Sequence, residues 1–229
     1  MARSSKILII VSLLLVVSII ASTIVLQTKA YLLVSFAVIA CILFIFFLRF
    51  ELRSITGREI VLLAMLSAIA AVARVPFAPI PSVQPTSFII ILAGLVFGAE
   101  SGFLVGAVAA LVSNIFLGQG PWTPWQMLAW GMMGASAGLL RNTWLMKKMW
   151  GLSLFGFVWG LLFGWFMNLW IIVSHLESLS WGYIIGVYSS SIYFDLAHSL
   201  SNIFFLIVFA SSWRKVLERF KKKYGLLKE

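Results

Sequence analysis

Charge is what this chain has least of. Of its 229 residues, 10% are Asp, Glu, Lys or Arg, against roughly 25% in an ordinary soluble domain. It holds two histidines, six prolines and a single cysteine, Cys41. Each shortage excludes something. One cysteine leaves no disulfide framework within the chain and no cysteine pair for a metal, and Cys41 reads as a small residue facing lipid or a neighbouring helix. No G-x-x-x-x-G-K-[ST] phosphate loop occurs, so this chain is not itself the ATP-hydrolysing part of any machine. Acidic residues are scarcer than basic ones, 7 against 17, for a formal net charge of +10. On a soluble domain that excess would point to nucleic acid. Here the basic residues lie between apolar runs and at the chain ends, where membrane topology accounts for them, and no nucleic-acid partner is expected.

What fills the space is apolar side chain, 62% of the sequence. A soluble fold of this length has too little interior to hide that much, so the chain reads as an all-α, multi-pass integral membrane protein. Ile7 to Leu26 is nearly unbroken apolar and long enough to cross a bilayer, which takes about 20 residues. Arg3 and Lys6 precede it, which makes a cleavable signal peptide the rival reading; the absence of a clean small-x-small site favours a retained span. After a short turn at Gln27 to Ala30, Leu32 to Leu48 completes an N-terminal hairpin, residues 1–48. A polar linker follows, 49–58, with Ser54, Thr56 and Gly57. Residues 59–213 then carry six spans: Ile60 to Ala73, Thr86 to Phe97, Gly102 to Leu117, Gln126 to Leu140, Leu152 to Ser174 and Ser189 to Trp213. The second of these is short, as expected of a helix tucked beside a cavity. The basic tail, 214–229, with Val216, Leu217 and Phe220 interleaved, reads as a continuation of the last helix along the headgroups.

Eight spans place both termini, the linker, the Gly98–Ser101 turn and the 141–149 loop on one side. That side holds Arg3, Lys6, Arg49, Arg53, Arg58, Arg141, Lys147, Lys148 and the basic tail; the other holds Lys29 and Arg74. The positive-inside rule makes the crowded side cytoplasmic. Two Pro-rich stretches, Val75 to Pro85 and Gly118 to Gln126, and the Leu176–Gly186 loop then face outward. Proline and glycine mark where the backbone leaves the helix, and irregular backbone at membrane depth survives where protein or a water-filled cavity satisfies it. The two stretches read as lid and rim of one pocket.

Around that pocket stand Gln84, Thr86, Asn114, Gln119, Trp122, Trp125, Gln126 and Trp130. Neutral amides and indoles suit a bulky ligand with amide groups and flat faces. The plain alternatives are an interfacial aromatic belt for the indoles and loop bonding or capping for any one amide. The last span holds Asp195, His198 and Asn202 at i, i+3 and i+7. An ionisable group at membrane depth marks a candidate functional site. An Asp–His pair bracing the bundle and contact with ligand amides are both open, and metal ligation is disfavoured because one histidine is a thin site. Asn168 reads as an inward-facing hydrogen bonder. Arg74 either snorkels to the headgroups or meets an acidic ligand group. Glu177 and His175 are either solvated or part of the lid. An intramembrane enzyme using Asp195 and His198 as acid and base lacks any accompanying carboxylate or histidine cluster.

Small residues recur at helical spacing: Ala64, Ser67, Ala68 and Ala71, then Gly102 and Gly106, Gly134 and Gly138, and Gly156, Gly160 and Gly164. They let helix backbones approach closely. The glycines read as internal packing; the alanine stripe leaves a docking surface open.

The Ala64-x-x-x-Ala68 stripe, the loop ending Ser82-Val83-Gln84-Pro85-Thr86, the segment Ala93-Gly94-Leu95-Val96-Phe97-Gly98 and the run from Leu111 to Met127 together resemble the substrate-binding S-components of energy-coupling factor (ECF) vitamin transporters. The likeness covers Glu59 to Trp213 and leaves the first hairpin outside the usual six-helix pattern. It is nearest the subgroup associated with cobalamin and related corrinoids; a thiamin, pyrimidine or queuosine-type substrate is the alternative. The resemblance implies a bacterial plasma-membrane protein without a cofactor. It implies capture of a vitamin outside and its passage inward with a transmembrane coupling (T) subunit and two ABC ATPase subunits, and a docking role for Ala64, Ser67, Ala68 and Ala71.

Overall fold

The computed structural model describes residues 31–51 and 56–225. The expected first span and its turn lie outside the described residues. All the regular structure that is described is helical. In chain order the helices are α1 (Tyr31–Glu51), α2 (Gly57–Arg74), α3 (Thr86–Phe97), α4 (Ala99–Leu117), α5 (Thr123–Leu140), the single turn α6 (Trp144–Lys147), α7 (Met149–Ser174) and α8 (Trp181–Tyr224). By length and apolarity α4, α7, α8 and the α2 segment through Phe77 are each able to cross a membrane, with α3 a shorter apolar helix.

The helix ends follow local chemistry. Thr56 and Glu59 form a reciprocal capping box, with the Thr56 amide donating to Glu59 Oε2 at 2.7 Å. That box satisfies two donors at the helix start, so α2 begins three residues before the expected Ile60. Pro124 sits in the first turn of α5, where its missing N–H costs nothing; Gln126 is therefore helical and not part of the loop. The expected 141–149 loop contains α6. The largest departure is α8, a single helix of 44 residues. Ser180 caps it, accepting from the Tyr183 amide at 3.1 Å, so the helix starts eight residues before the expected Ser189 and the outer loop shrinks to 175–180. No proline interrupts it, and it runs through the basic tail to Gly225, which closes it in the left-handed conformation at φ 60°. Lys221, Lys222 and Lys223 occupy its last turn, where cations complement the helix dipole.

All twelve residues of α3 are buried; it is the central post. α2, α4, α5 and α8 pack around it, and α7 pairs with α8. Gly94, Gly102 and Gly134 bring α3, α4 and α5 into backbone contact. A side chain on Gly94 or Gly102 would strike the Gly134 carbonyl, and one on Gly134 would strike that of Gly102. On α7, Gly160 faces Ser199 and Gly164 faces Asp195 of α8. Both glycine series are therefore packing devices, which matters in lipid because no hydrophobic force drives the helices together there. Phe88 stacks on Phe205 (centroids 5.9 Å apart) and meets Trp213 edge-on (5.6 Å), fastening α3 to α8. α1 is fastened as firmly: Phe46 stacks on Phe103 of α4 at 3.7 Å.

Successive antiparallel helices put the start of α2, the α3–α4 turn at Gly98, the 141–148 connection and the end of α8 at one end of the bundle. Lys221 Nζ ties that end together by donating to the Val96 carbonyl at 2.7 Å. The other end carries the Val75–Pro85 connection, opened by a short 3-10 turn at Val75–Phe77, and the 118–122 connection.

Candidate functional site

At the end opposite the basic one, α2 finishes in Arg74, which is only 8% exposed. Its guanidinium gathers polar groups from two other parts of the chain and an aromatic ring from a third. Nε donates to Gln84 Oε1 at 3.1 Å, and Nη1 donates to Asn114 Oδ1 at 3.1 Å and to Ser113 Oγ. The plane lies over the wholly buried Trp130, with Cζ 4.6 Å from the ring centroid. Asn114 passes the network to α5, its Nδ2 donating to Gln126 Oε1 at 2.7 Å and to Thr123 Oγ1 at 2.9 Å. The Gln84 backbone N–H donates to Ser201 Oγ at 3.0 Å. Ser201 lies midway along α8, so the Val75–Pro85 connection dips into the bundle and α3 starts well below the tops of its neighbours. That dip explains the shortness of α3.

Beyond Trp130 the line continues through Phe163 (4.7 Å) to the edge-on ring of His198 (5.0 Å). His198 Nε2 and Ser87 Oγ are 2.9 Å apart. A cavity of about 220 Å³ lies under the Val75–Pro85 connection, walled by Arg74, Phe77, Ile80, Ser82, Gln84 and Leu117. A larger apolar cleft, about 690 Å³, sits far from this cluster, near the basic end between α2 and the last turns of α8, with Val61, Met65, Trp213 and Phe220 in its walls.

The structure brings together Gln84, Asn114, Gln126 and Trp130 from the sequence-derived set. Thr86 is buried nearby at the head of α3 with its hydroxyl unpartnered; Trp125 and Trp130 each bury an unpartnered indole N–H, and Asn202 an unpartnered Oδ1. Gln119 is exposed, its amide folded back onto the Leu111 carbonyl at 2.9 Å and its oxygen accepting from Thr123 at 3.0 Å. Trp122 is 38% exposed at the rim. Of the two readings left open for Asp195 and His198, the bracing pair is not formed: no hydrogen bond or ion pair joins them among the described residues. Asp195 accepts from Ser191 at 2.9 Å, Ser191 accepts from Asn168 at 2.8 Å, and this chain lies in the α7–α8 contact. His198 turns instead to α3, and Asn202 donates to the Gly156 carbonyl at 2.9 Å. The disfavoured alternative, an acid–base couple of Asp195 and His198, therefore lacks its geometry as well. Of the alanine stripe, Ala64 and Ala68 are exposed while Ser67 and Ala71 are buried, so the four residues straddle the edge between the outer and inner faces of α2.

Sequence reasoning placed Arg74 at the margin, yet it is the hub. The available signal was its isolation among the described residues, as the lone basic residue at that end. Ser87, Ser113 and Ser201 were missed, since serine in an apolar helix is common and its partner lies far off in sequence.

Residues 58–210 match the family of ECF transporter substrate-specific components, about two thirds of the chain, and the chain belongs to that family. Membership makes it the substrate-binding subunit of a transporter and not an enzyme, and implies a T subunit, ATPase subunits and a vitamin-type substrate. No curated protein and no solved structure matches the chain.

Proposed function

We propose that this chain captures a water-soluble vitamin or vitamin precursor at the outer face of a bacterial plasma membrane, in the cluster around Arg74, with both termini in the cytoplasm. The observation that carries this reading is the convergence of Arg74, Gln84, Ser113, Asn114 and Trp130 from four separate parts of the chain at one buried point. A bundle that needed only to pack would place apolar residues there, since burying polar groups costs free energy unless each is bonded. Ligand arrival is expected to lift the Val75–Pro85 connection, and the T subunit to meet the exposed alanine face of α2.

The space beside the connection, open on one side, bears on ligand size. Pockets for drug-sized ligands run about 300–1,000 Å³, and about 220 Å³ lies under the connection here. A thiamin- or pyrimidine-sized molecule is the better fit to that volume. A corrinoid is the second reading; the amide and indole rim of Gln119, Trp122 and Gln126 favours it, and it requires the connection to swing fully clear. Calorimetry on the purified full chain with cobalamin, thiamin, pyrimidine and queuosine-type compounds separates the two. Saturable binding of a small compound with none of cobalamin supports the first, and binding of nothing in the series counts against both.

A further inference from the structure

The charge on Arg74 is uncompensated. Every acceptor it meets is neutral, an amide, a hydroxyl or an amide again, and no carboxylate among the described residues approaches it. Of its nitrogens, Nε and Nη1 are engaged, and Nη2 makes no hydrogen bond among the described residues. The side chain is more than nine-tenths buried, yet it forms part of the wall of the cavity under the Val75–Pro85 connection. A buried guanidinium without a counter-charge carries a desolvation cost that neutral acceptors offset in part, and an anion in the cavity would offset the remainder. The rest of the geometry is that of a held fork. Gln84 fixes one edge, Ser113 and Asn114 fix the next, and Trp130 supports the plane from below, so the free edge has a set direction. Planar, pre-oriented guanidinium edges match carboxylate and phosphate oxygens.

We infer that Arg74 is an oxyanion-recognition residue, and that the substrate carries a carboxylate or a phosphate which docks on its free edge. This rests on the capture reading above and narrows it to anionic vitamins or precursors. Gln84 has a second part in it: as the neutral neighbour on Nε it leaves the positive charge available, where a glutamate would cancel it.

The test uses the full chain in nanodiscs and three matched probe pairs: nicotinate and nicotinamide, pantothenate and panthenol, pyridoxal phosphate and pyridoxal. The anionic member of at least one pair is expected to bind roughly 10- to 100-fold more tightly than its neutral partner. Gln84→Glu supplies an internal counter-ion without removing Arg74; it is expected to abolish that preference and raise the melting temperature together, a combination that general damage to the fold does not give. Arg74→Gln is expected to lose the preference and Arg74→Lys to keep part of it. Equal binding of both members of each pair, or a preference that survives Gln84→Glu, overturns the inference and leaves the capture reading intact. Binding of no probe by a folded wild-type chain that does bind a compound of the earlier calorimetric series overturns the inference alone; binding of neither set overturns both. A preference seen in neutral nanodiscs but abolished by phosphatidylglycerol would assign the site to a lipid headgroup and likewise overturn the claim about substrate.

Discussion

The guanidinium carbon of Arg74 lies 4.6 Å from the centroid of the Trp130 ring, and that ring is wholly buried, with Phe163 of α7 packed against it. The contact joins the end of α2 to the middle of α5 across the top of the bundle. It gives one aromatic face two duties, packing against Phe163 at 4.7 Å and supporting a desolvated cation, an arrangement worth about 2 kcal/mol when water is excluded.

Replacing Trp130 separates those duties. Trp130→Leu removes both the volume and the aromatic face, and is expected to cost about 3 kcal/mol of stability, within the range for truncating a buried aromatic. Trp130→Phe keeps a smaller face. Because the indole N–H has no hydrogen-bond partner, the phenylalanine variant forfeits no bond and should lose well under half as much. Thermal unfolding in detergent measures both. Equal losses would mean that the ring acts by volume alone and the cation has no part in it.

The helical membrane architecture was legible from composition and from the apolar runs, and the limits of α3 were read to the residue because proline precedes it and glycine follows. The start of α8 was misread. Two glycines and a scatter of serines between Trp181 and Ser190 look like a loop, whereas Ser180 caps a helix that tolerates them. The amides that gather at one end of the bundle were legible as a set, but not as a network centred on Arg74. That network depends on the inward dip of residues 75–85, a tertiary fact with no local signature. The same holds for Asp195 and His198: their spacing puts them on one broad face, and only the packing of α3 and α7 decides that each turns to a different neighbour.

Rim and floor of the cluster should respond differently to truncation. Gln126→Ala removes the acceptor at 2.7 Å from Asn114 Nδ2 and loosens the residue that holds Arg74; it is expected to weaken ligand binding by roughly tenfold, the order of a hydrogen bond in a charge-linked network. Trp122→Ala alone, at a 38% exposed position, is expected to change affinity by less than about threefold for a small ligand, since exposed contacts contribute little. Calorimetry on the single and double variants distinguishes them. A dominant effect from Trp122 would instead favour a large ligand that spreads over the rim, as the corrinoid reading requires.

Two glycine substitutions provide a control for each other. Gly134→Ala drives a methyl group into the Gly102 carbonyl, where both sides are helix backbone and neither is free to yield, so a loss of about 1–3 kcal/mol or more is expected from overpacking. Gly57→Ala, in the first turn of α2, meets nothing within 4 Å and should stabilise the protein by about 0.4–1 kcal/mol through the unfolded chain. Melting temperatures moving in opposite directions bear this out; a tolerated Gly134→Ala would show that α4 and α5 are free to separate.

The alanine stripe permits the sharpest separation of binding from transport. Ala68 is exposed on α2 beside Met65, Ile69 and Val72, all well exposed themselves, whereas Ala71, three residues on, is completely buried. A tryptophan at 68 projects away from the bundle and leaves every contact around Arg74 in place. Ala68→Trp is therefore expected to insert, melt and bind ligand as the parent does, and to stop uptake in cells that supply the T and ATPase subunits, because a bulky ring prevents the close helix approach that a small residue permits. Ala71→Trp should fail earlier, at folding, with little protein recovered from the membrane, since the interior has no room for the indole. Undiminished uptake by a well-expressed Ala68→Trp would show that this face of α2 meets only lipid, and that the T subunit docks on another surface.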